Sequence, residues 1–255
     1  MKLHHRILGE EHTETLLILH GLFGSSDNWQ TLGKRFAENY QVILVDQRNH
    51  GHSAHDPVFD YTVMAEDLLE LVYDLQLTGF HLLGHSMGGK AAMTFAQSHP
   101  EFLDSLMVAD IAPHAYPPHH TKILAALNSA TDEILQSRKS AEAHLSDFIP
   151  EPGVRQFLMK NLYWKTKGQL AWRMNVQVLT ENMEAILGEV PGEQVDVPTL
   201  FLRGTASNYI KESDYPAIRN QFSQVSFLDF EGAGHWLHAE QPDKLFHTVV
   251  EFMER

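Results

Sequence analysis

The stretch Phe80-His81-Leu82-Leu83-Gly84-His85-Ser86-Met87-Gly88-Gly89 decides how this chain is read. Phe80–Leu83 is an apolar run of strand length, and beyond the glycine pair Lys90–Gln97 carries a helical pattern that begins with Ala91-Ala92-Met93. Strand, tight turn and helix therefore follow one another, with Gly-x-Ser-x-Gly at the turn. A serine on a strained strand-to-helix turn needs neighbours without a Cβ where the backbones crowd. Its hydroxyl then stands at a helix N-terminus, where the dipole and free N–H groups favour developing negative charge. This placement makes Ser86 the candidate nucleophile. The plainer alternative is a glycine-rich turn whose serine caps the helix.

Outward from the turn, further apolar runs of strand length lie at Leu16–Leu19, Val42–Val45, Leu103–Val108, Thr199–Leu202 and Val225–Phe230. Amphipathic stretches of helical length separate several of them, Tyr61–Leu75 being the clearest. The alternation predicts an α/β chain: a mostly parallel twisted sheet with helices on both faces. It breaks between about Ala112 and Val197. There Pro113, Pro117 and Pro118 lead into helical patterning at Ile123–Leu135, Ala141–Phe148, Val154–Leu162 and Gln169–Leu187, with no convincing strand. We read residues 1–112 and 196–255 as one core and 113–195 as a helical insertion between two of its strands. Residues 114–190 hold equal numbers of basic and acidic side chains, so the whole formal charge of -14 lies outside that stretch.

The 255 residues suffice for one large domain. An acidic chain lacks the clustered Lys and Arg that phosphate contacts need, so nucleic acid is not an expected partner. No stretch approaches the length of a membrane span, and the opening residues lack the apolar centre of a signal peptide, so cytoplasmic residence is expected. With no cysteine, thiol catalysis and disulfides are excluded. Seventeen histidines are many. No His-Glu-x-x-His arrangement occurs, however, and His4-His5 and His119-His120 are adjacent pairs, so surface histidine is preferred to a metal site.

The partners of a serine nucleophile follow. Leu16–Leu19 ends in His20-Gly21-Leu22-Phe23-Gly24, a loop able to aim a backbone N–H at the site. Leu22 and Met87 are the expected oxyanion donors, Phe23 being the less favoured one. Past the last apolar run, Glu231-Gly232-Ala233-Gly234-His235-Trp236 sets His235 on a glycine-rich loop as the candidate base, with His238 as the competing histidine. The usual place for an acid, about three residues past Thr199–Leu202, holds Ser207, and a neutral hydroxyl cannot offset imidazolium charge. Asp110, at the end of the preceding strand, is preferred as the acid, with Asp214 and Glu212 as alternatives. Ser207 would assist it.

With these residues the chain resembles the α/β-hydrolase family over nearly its whole length. A further stretch, Asp46-Gln47-Arg48-Asn49-His50-Gly51-His52-Ser53, resembles that family's Asp-x-Arg-Gly-x-Gly-x-Ser loop, with Asn49 where glycine is commoner. The resemblance implies an esterase with a helical cap over the site, acting on a small-molecule ester or thioester without metal or organic cofactor. Haloalkane dehalogenases and epoxide hydrolases of the family use aspartate at the turn, so Ser86 sets both aside. Cofactor-free haloperoxidases and carbon–carbon bond hydrolases keep Ser and His and stay open, as does a non-catalytic ligand binder. Phe23, Tyr163, Trp164, Trp172 and Trp236 are the candidate substrate-binding aromatics. The basic residues among them, Lys165 and Arg173 included, could receive an anionic acyl-coenzyme A thioester, although a solvated basic helix face is the preferred reading. Oligomeric state is not legible.

Overall fold

Each apolar run of the sequence becomes a strand of a single sheet, because a strand covered on both faces can be apolar at every position. The computed structural model describes residues 1–192 and 194–255. In chain order the strands are β1 (His5–Leu8), β2 (Thr15–Leu19), β3 (Gln41–Val45), β4 (Phe80–His85), β5 (Leu103–Ala109), β6 (Leu162–Thr166), β7 (Gln169–Trp172), β8 (Thr199–Gly204) and β9 (Val225–Phe230). Seven of them form one sheet in the order β1-β3-β2-β4-β5-β8-β9. All neighbours are parallel except the β1–β3 pair, which is antiparallel.

The period of two along β2 and β3 assigns the two faces. Leu17, Leu19, Ile43 and Val45 belong to the core shared with helices α2 (Tyr61–Asp74) and α3 (Met87–Ser98). Leu16, Ile18, Val42 and Leu44 pack into the core on the other face, with Trp29, Phe36, Leu245 and Val249. Phe36 ends helix α1 (Gln30–Phe36), and Leu245 and Val249 belong to the last helix, Pro242–Met253. Burying each of these side chains contributes roughly 1.5–3 kcal/mol. Six strands match the sequence reading. β1 is an addition, half-buried and at the edge, so its sequence carries no continuous apolar run.

The segment between β5 and β8 departs further from expectation. It holds helices α4 (Thr121–Asn128), α5 (Arg138–Ser146), α6 (Pro152–Met159), α7 (Val176–Glu181) and α8 (Met183–Leu187). It also holds β6 and β7, paired as an antiparallel hairpin where no strand was expected. Tyr163, Trp164 and Thr166 are strand-favouring residues, and Lys167-Gly168 supplies the turn, with Gly168 at φ +83. The helix expected over Gln169–Leu187 is therefore a strand followed by two short helices that meet at Asn182.

Helices α9 (Tyr215–Gln221), α10 (Leu237–Glu240) and α11 (Pro242–Met253) complete the chain. Among the described residues no helix is long and apolar enough to cross a membrane. Likewise, no group of three or more His, Asp or Glu side chains could hold a metal ion.

Candidate active site

Five loops leave the same, C-terminal edge of the parallel strands, and each carries one of the residues singled out above. Ser86 follows β4, with φ 54 and ψ -121, a conformation L-residues seldom adopt. Ser86 N–H donates to the Ala109 carbonyl at 3.0 Å, which pins the strained residue to β5. A Cβ on Gly84 would lie 2.3 Å from the Gly88 carbonyl oxygen, so the turn closes only with glycine there. Among the described residues five non-glycines have positive φ, and Phe23, Asn49, Ser86 and Asp110 are four of them. Such strain concentrates where surrounding structure over-determines it.

Asp110 follows β5 and is wholly buried. Its N–H donates to the Leu202 carbonyl at 2.8 Å, and its Oδ1 accepts the Gly204 N–H at 3.0 Å. Its Oδ2 accepts from the Ser207 hydroxyl and from His235 Nδ1, the latter at 2.8 Å. His235 follows β9 on a turn that Glu240 holds by accepting Gly234 N–H at 2.7 Å and Trp236 N–H at 3.2 Å. His85 Nε2–H donates to the His235 carbonyl at 2.9 Å from the other side. With Nδ1 engaged by Asp110, Nε2 is the nitrogen left for a hydroxyl, and Ser86 and His235 line the same cavity.

The competing residues are placed elsewhere. Asp214 accepts Lys211 N–H at 2.8 Å and faces His114 at 3.6 Å, while Glu212 reaches Arg203 at 3.4 Å. His238 lines the cavity but stacks on Trp29 at 4.7 Å, and its Nδ1 is buried without a hydrogen-bond partner. Burial holds it neutral, with a pKa lowered to about 4.

Two buried histidines accept backbone N–H groups of the loops around the cavity. His50 Nδ1–H donates to the Arg48 carbonyl at 2.9 Å, so its Nε2 is the acceptor that takes Phe23 N–H at 3.2 Å. Phe23 N–H is thereby occupied, while Leu22 lines the cavity together with Ser86. A Cβ on Gly21 would lie 3.2 Å from Ser86 Cβ, which measures how closely this loop approaches. Met87 opens α3, where a helix leaves its first N–H groups unpaired. His20 is fixed in the same way, giving Nδ1–H to Gly21 O at 2.8 Å and accepting Gln47 N–H at 3.1 Å.

The histidines expected at the surface are thus in part structural. His20, His50 and His85 are buried, and burial lowers the pKa of each, that of His50 to about 3. For His20 and His50, protonating the accepting nitrogen would set it against a backbone N–H. Between their folded pKa and the unfolded value near 6.5 the unfolded chain binds more protons, so stability falls as pH drops below about 6.5. A melting temperature that declines from pH 7 toward pH 4.5, less steeply in His50→Gln, is expected. A flat profile over that range would contradict it.

The departure at Asn49 also has a structural use. At φ 64 it fills the place of the commoner glycine, and its amide exchanges two 3.0 Å hydrogen bonds with the backbone of Asp56. Its carbonyl accepts Asn175 N–H at 2.8 Å, and Asn161 Nδ2 donates to the Phe23 carbonyl at 2.7 Å. The segment between β5 and β8 is therefore anchored on two of the site loops. Lys90, one turn beyond Ser86 on α3, is 1% exposed and donates to the carbonyls of His114 and Gly188, near the two ends of that segment. Desolvation lowers its pKa to about 8.

Phe23 and Trp236 both lie on the wall of the Ser86 cavity. Tyr163, Trp164 and Trp172 are not brought to it. They sit on the β6–β7 hairpin, where Trp164 is 55% exposed and Tyr163 lies under the Arg173 guanidinium at 4.6 Å. Lys165 lies on that hairpin and Arg173 directly follows it, and neither lines the cavity of Ser86. Their place on the cavity wall is taken by His120, Ile123, Val154, Phe157 and Tyr209, of which the sequence reading missed all but Phe157. Only the apolar face of α6 offered a signal, since Val154 and Phe157 stand three residues apart.

Comparison with known proteins gives the family. The family model for the alpha/beta hydrolase fold matches residues 14–129. The sn-1-specific diacylglycerol lipase ABHD11 of Danio rerio is 36% identical over 96% of this chain and 80% of its own length. The chain belongs to the α/β-hydrolase family. Another relative, Esterase YbfF of Escherichia coli strain K12, is 36% identical over 96% of this chain and 94% of its own. Among solved α/β-hydrolases, a marine microorganism esterase superposes with a TM-score of 0.95 at 41% identity, over 98% of this chain and 99% of that one.

Proposed function

We propose that this α/β-hydrolase is a serine carboxylic-ester hydrolase acting on small-molecule esters or acyl thioesters. The observation that carries the reading is the 2.8 Å bond from His235 Nδ1 to buried Asp110, with Ser86 on the same cavity wall. The esterase and lipase names of the relatives support it. His235 Nε2 takes the Ser86 proton as Oγ attacks the carbonyl carbon, and the N–H groups of Leu22 and Met87 hold the oxyanion. The imidazolium then gives its proton to the departing alcohol or thiol. Water, deprotonated by the same nitrogen, releases the acid and restores Ser86. Asp110 orients the ring and offsets its charge, and Ser207 and Gly204 hold Asp110.

In this proposal residues 113–195 are the cap, and the chain works in the cytoplasm. The cap helices contribute Ile123, Val154 and Phe157 to the cavity, so they meet the acyl or alcohol group. A panel of p-nitrophenyl esters tests the reading. Chains of about four to eight carbons should give higher kcat/KM than chains of about sixteen, given a cavity walled in by Val154, Phe157 and Trp236. No turnover of any ester above the rate of Ser86→Ala would overturn it.

A further inference from the structure

The stretch Thr205-Ala206-Ser207-Asn208-Tyr209-Ile210 after β8 has uses beyond its serine, and the role of Tyr209 rests on the function proposed above. Its ring stacks on the His235 imidazole, with centroids 4.0 Å apart and planes 23° from parallel. The ring is held from several sides. His119 Nδ1–H donates to the Pro117 carbonyl at 2.8 Å, so His119 Nε2 is the acceptor that takes the Tyr209 hydroxyl at 2.6 Å. Tyr209 N–H donates to Ser207 Oγ at 3.3 Å, its carbonyl accepts the Tyr116 hydroxyl at 2.5 Å, and the next residue, Ile210, is buried. A merely space-filling residue would not need three hydrogen-bonding partners, one on the ring hydroxyl and two on its backbone.

The other rings facing His235 do not supply cationic stabilisation. His85 lies 4.7 Å away, centroid to centroid, and its Nε2–H is committed to the His235 carbonyl. His238 and His120 are held neutral by burial. Asp110 is the one carboxylate in contact, and it meets the ring edge at Nδ1. The ring face is left to Tyr209, and an aromatic face attracts a cation within about 6 Å of its centroid.

We infer that Tyr209 is a positioning residue for the base: its ring fixes the plane of the His235 imidazole and stabilises the imidazolium formed when Ser86 loses its proton. The His119 bond makes the start of the cap part of that support. No bond is made or broken at Tyr209, and every proton transfer of the proposed cycle runs through His235 Nε2.

Three readouts test this on the full chain. In Tyr209→Leu the His235 pKa, followed by imidazole NMR and by the acid limb of kcat/KM for p-nitrophenyl butyrate, should fall by about half to one unit. kcat should drop about three- to ten-fold. Tyr209→Phe keeps the ring and should retain the wild-type pKa. Replacing position 209 with 3,4,5-trifluorophenylalanine preserves shape while draining the ring face, and should lower the pKa as leucine does, which keeps the test decisive if Tyr209→Leu fails to fold. An unchanged His235 pKa in the fluorinated protein, or an equal loss in Tyr209→Phe, would overturn the role. Failure of the esterase reading would appear separately, as loss of turnover in the wild-type protein while the NMR shift persists.

Discussion

Asp110→Asn is expected to reduce kcat/KM for a good ester substrate by about 10⁴-fold, while Asp214→Asn leaves it within about two-fold. The asymmetry follows from geometry. Asp110 Oδ2 is 2.8 Å from His235 Nδ1, whereas Asp214 caps its own turn at the Lys211 N–H. An amide at position 110 can present its NH2 to Nδ1 and so leave the proton on Nε2, the tautomer that cannot accept from Ser86. It also removes the charge that offsets the imidazolium. Steady-state kinetics on the two variants decide the matter, with a melting curve to show that each is folded. Near-wild-type activity in Asp110→Asn with a loss of several orders in Asp214→Asn would transfer the acid to Asp214.

The second large effect concerns nucleophile and base together. Ser86→Ala and His235→Ala should each lower kcat by about 10⁴- to 10⁶-fold, and the double variant should be little worse than either single one. Non-additivity is the point of the measurement. A serine hydroxyl without its base is a weak nucleophile, and a base without its serine has no proton to take. What remains in any of the three is the turnover supported by the oxyanion donors and binding alone. Additive losses would mean that the two residues act in separate steps.

The positions of Ser86, His235 and Asp110 were legible because each is tied to a strand end that an apolar run announces. Asp110 was legible for an indirect reason. Ser207 occupies the place where a carboxylate was expected, which directed attention one strand back, and the structure brings Ser207 and Asp110 into contact. The proposed preference for Leu22 over Phe23 draws its support from the structure, where His50 accepts the Phe23 N–H across 27 residues of chain. β1 was not legible, because a half-buried edge strand of His5-Arg6-Ile7-Leu8 carries no continuous apolar signal.

The segment between β5 and β8 misled for a different reason. Aromatic and basic residues in Tyr163–Arg173 fit a helix face as well as a hairpin, and only the Lys167-Gly168 turn separates the two. The aromatics chosen there were the conspicuous ones. The cavity is instead walled by residues such as His120, Phe157 and Tyr209, brought together by the fold from stretches with no shared pattern. A site of this kind is written in the sequence at its strand ends and hidden in its walls.

Covalent labelling with a fluorophosphonate, read by intact-protein mass spectrometry and peptide mapping, tests the central claim most directly. The account predicts a single adduct per wild-type chain, located on Ser86, and none on Ser86→Ala under the same conditions. A folded wild-type protein that takes no label, or an adduct that persists in Ser86→Ala, would contradict it.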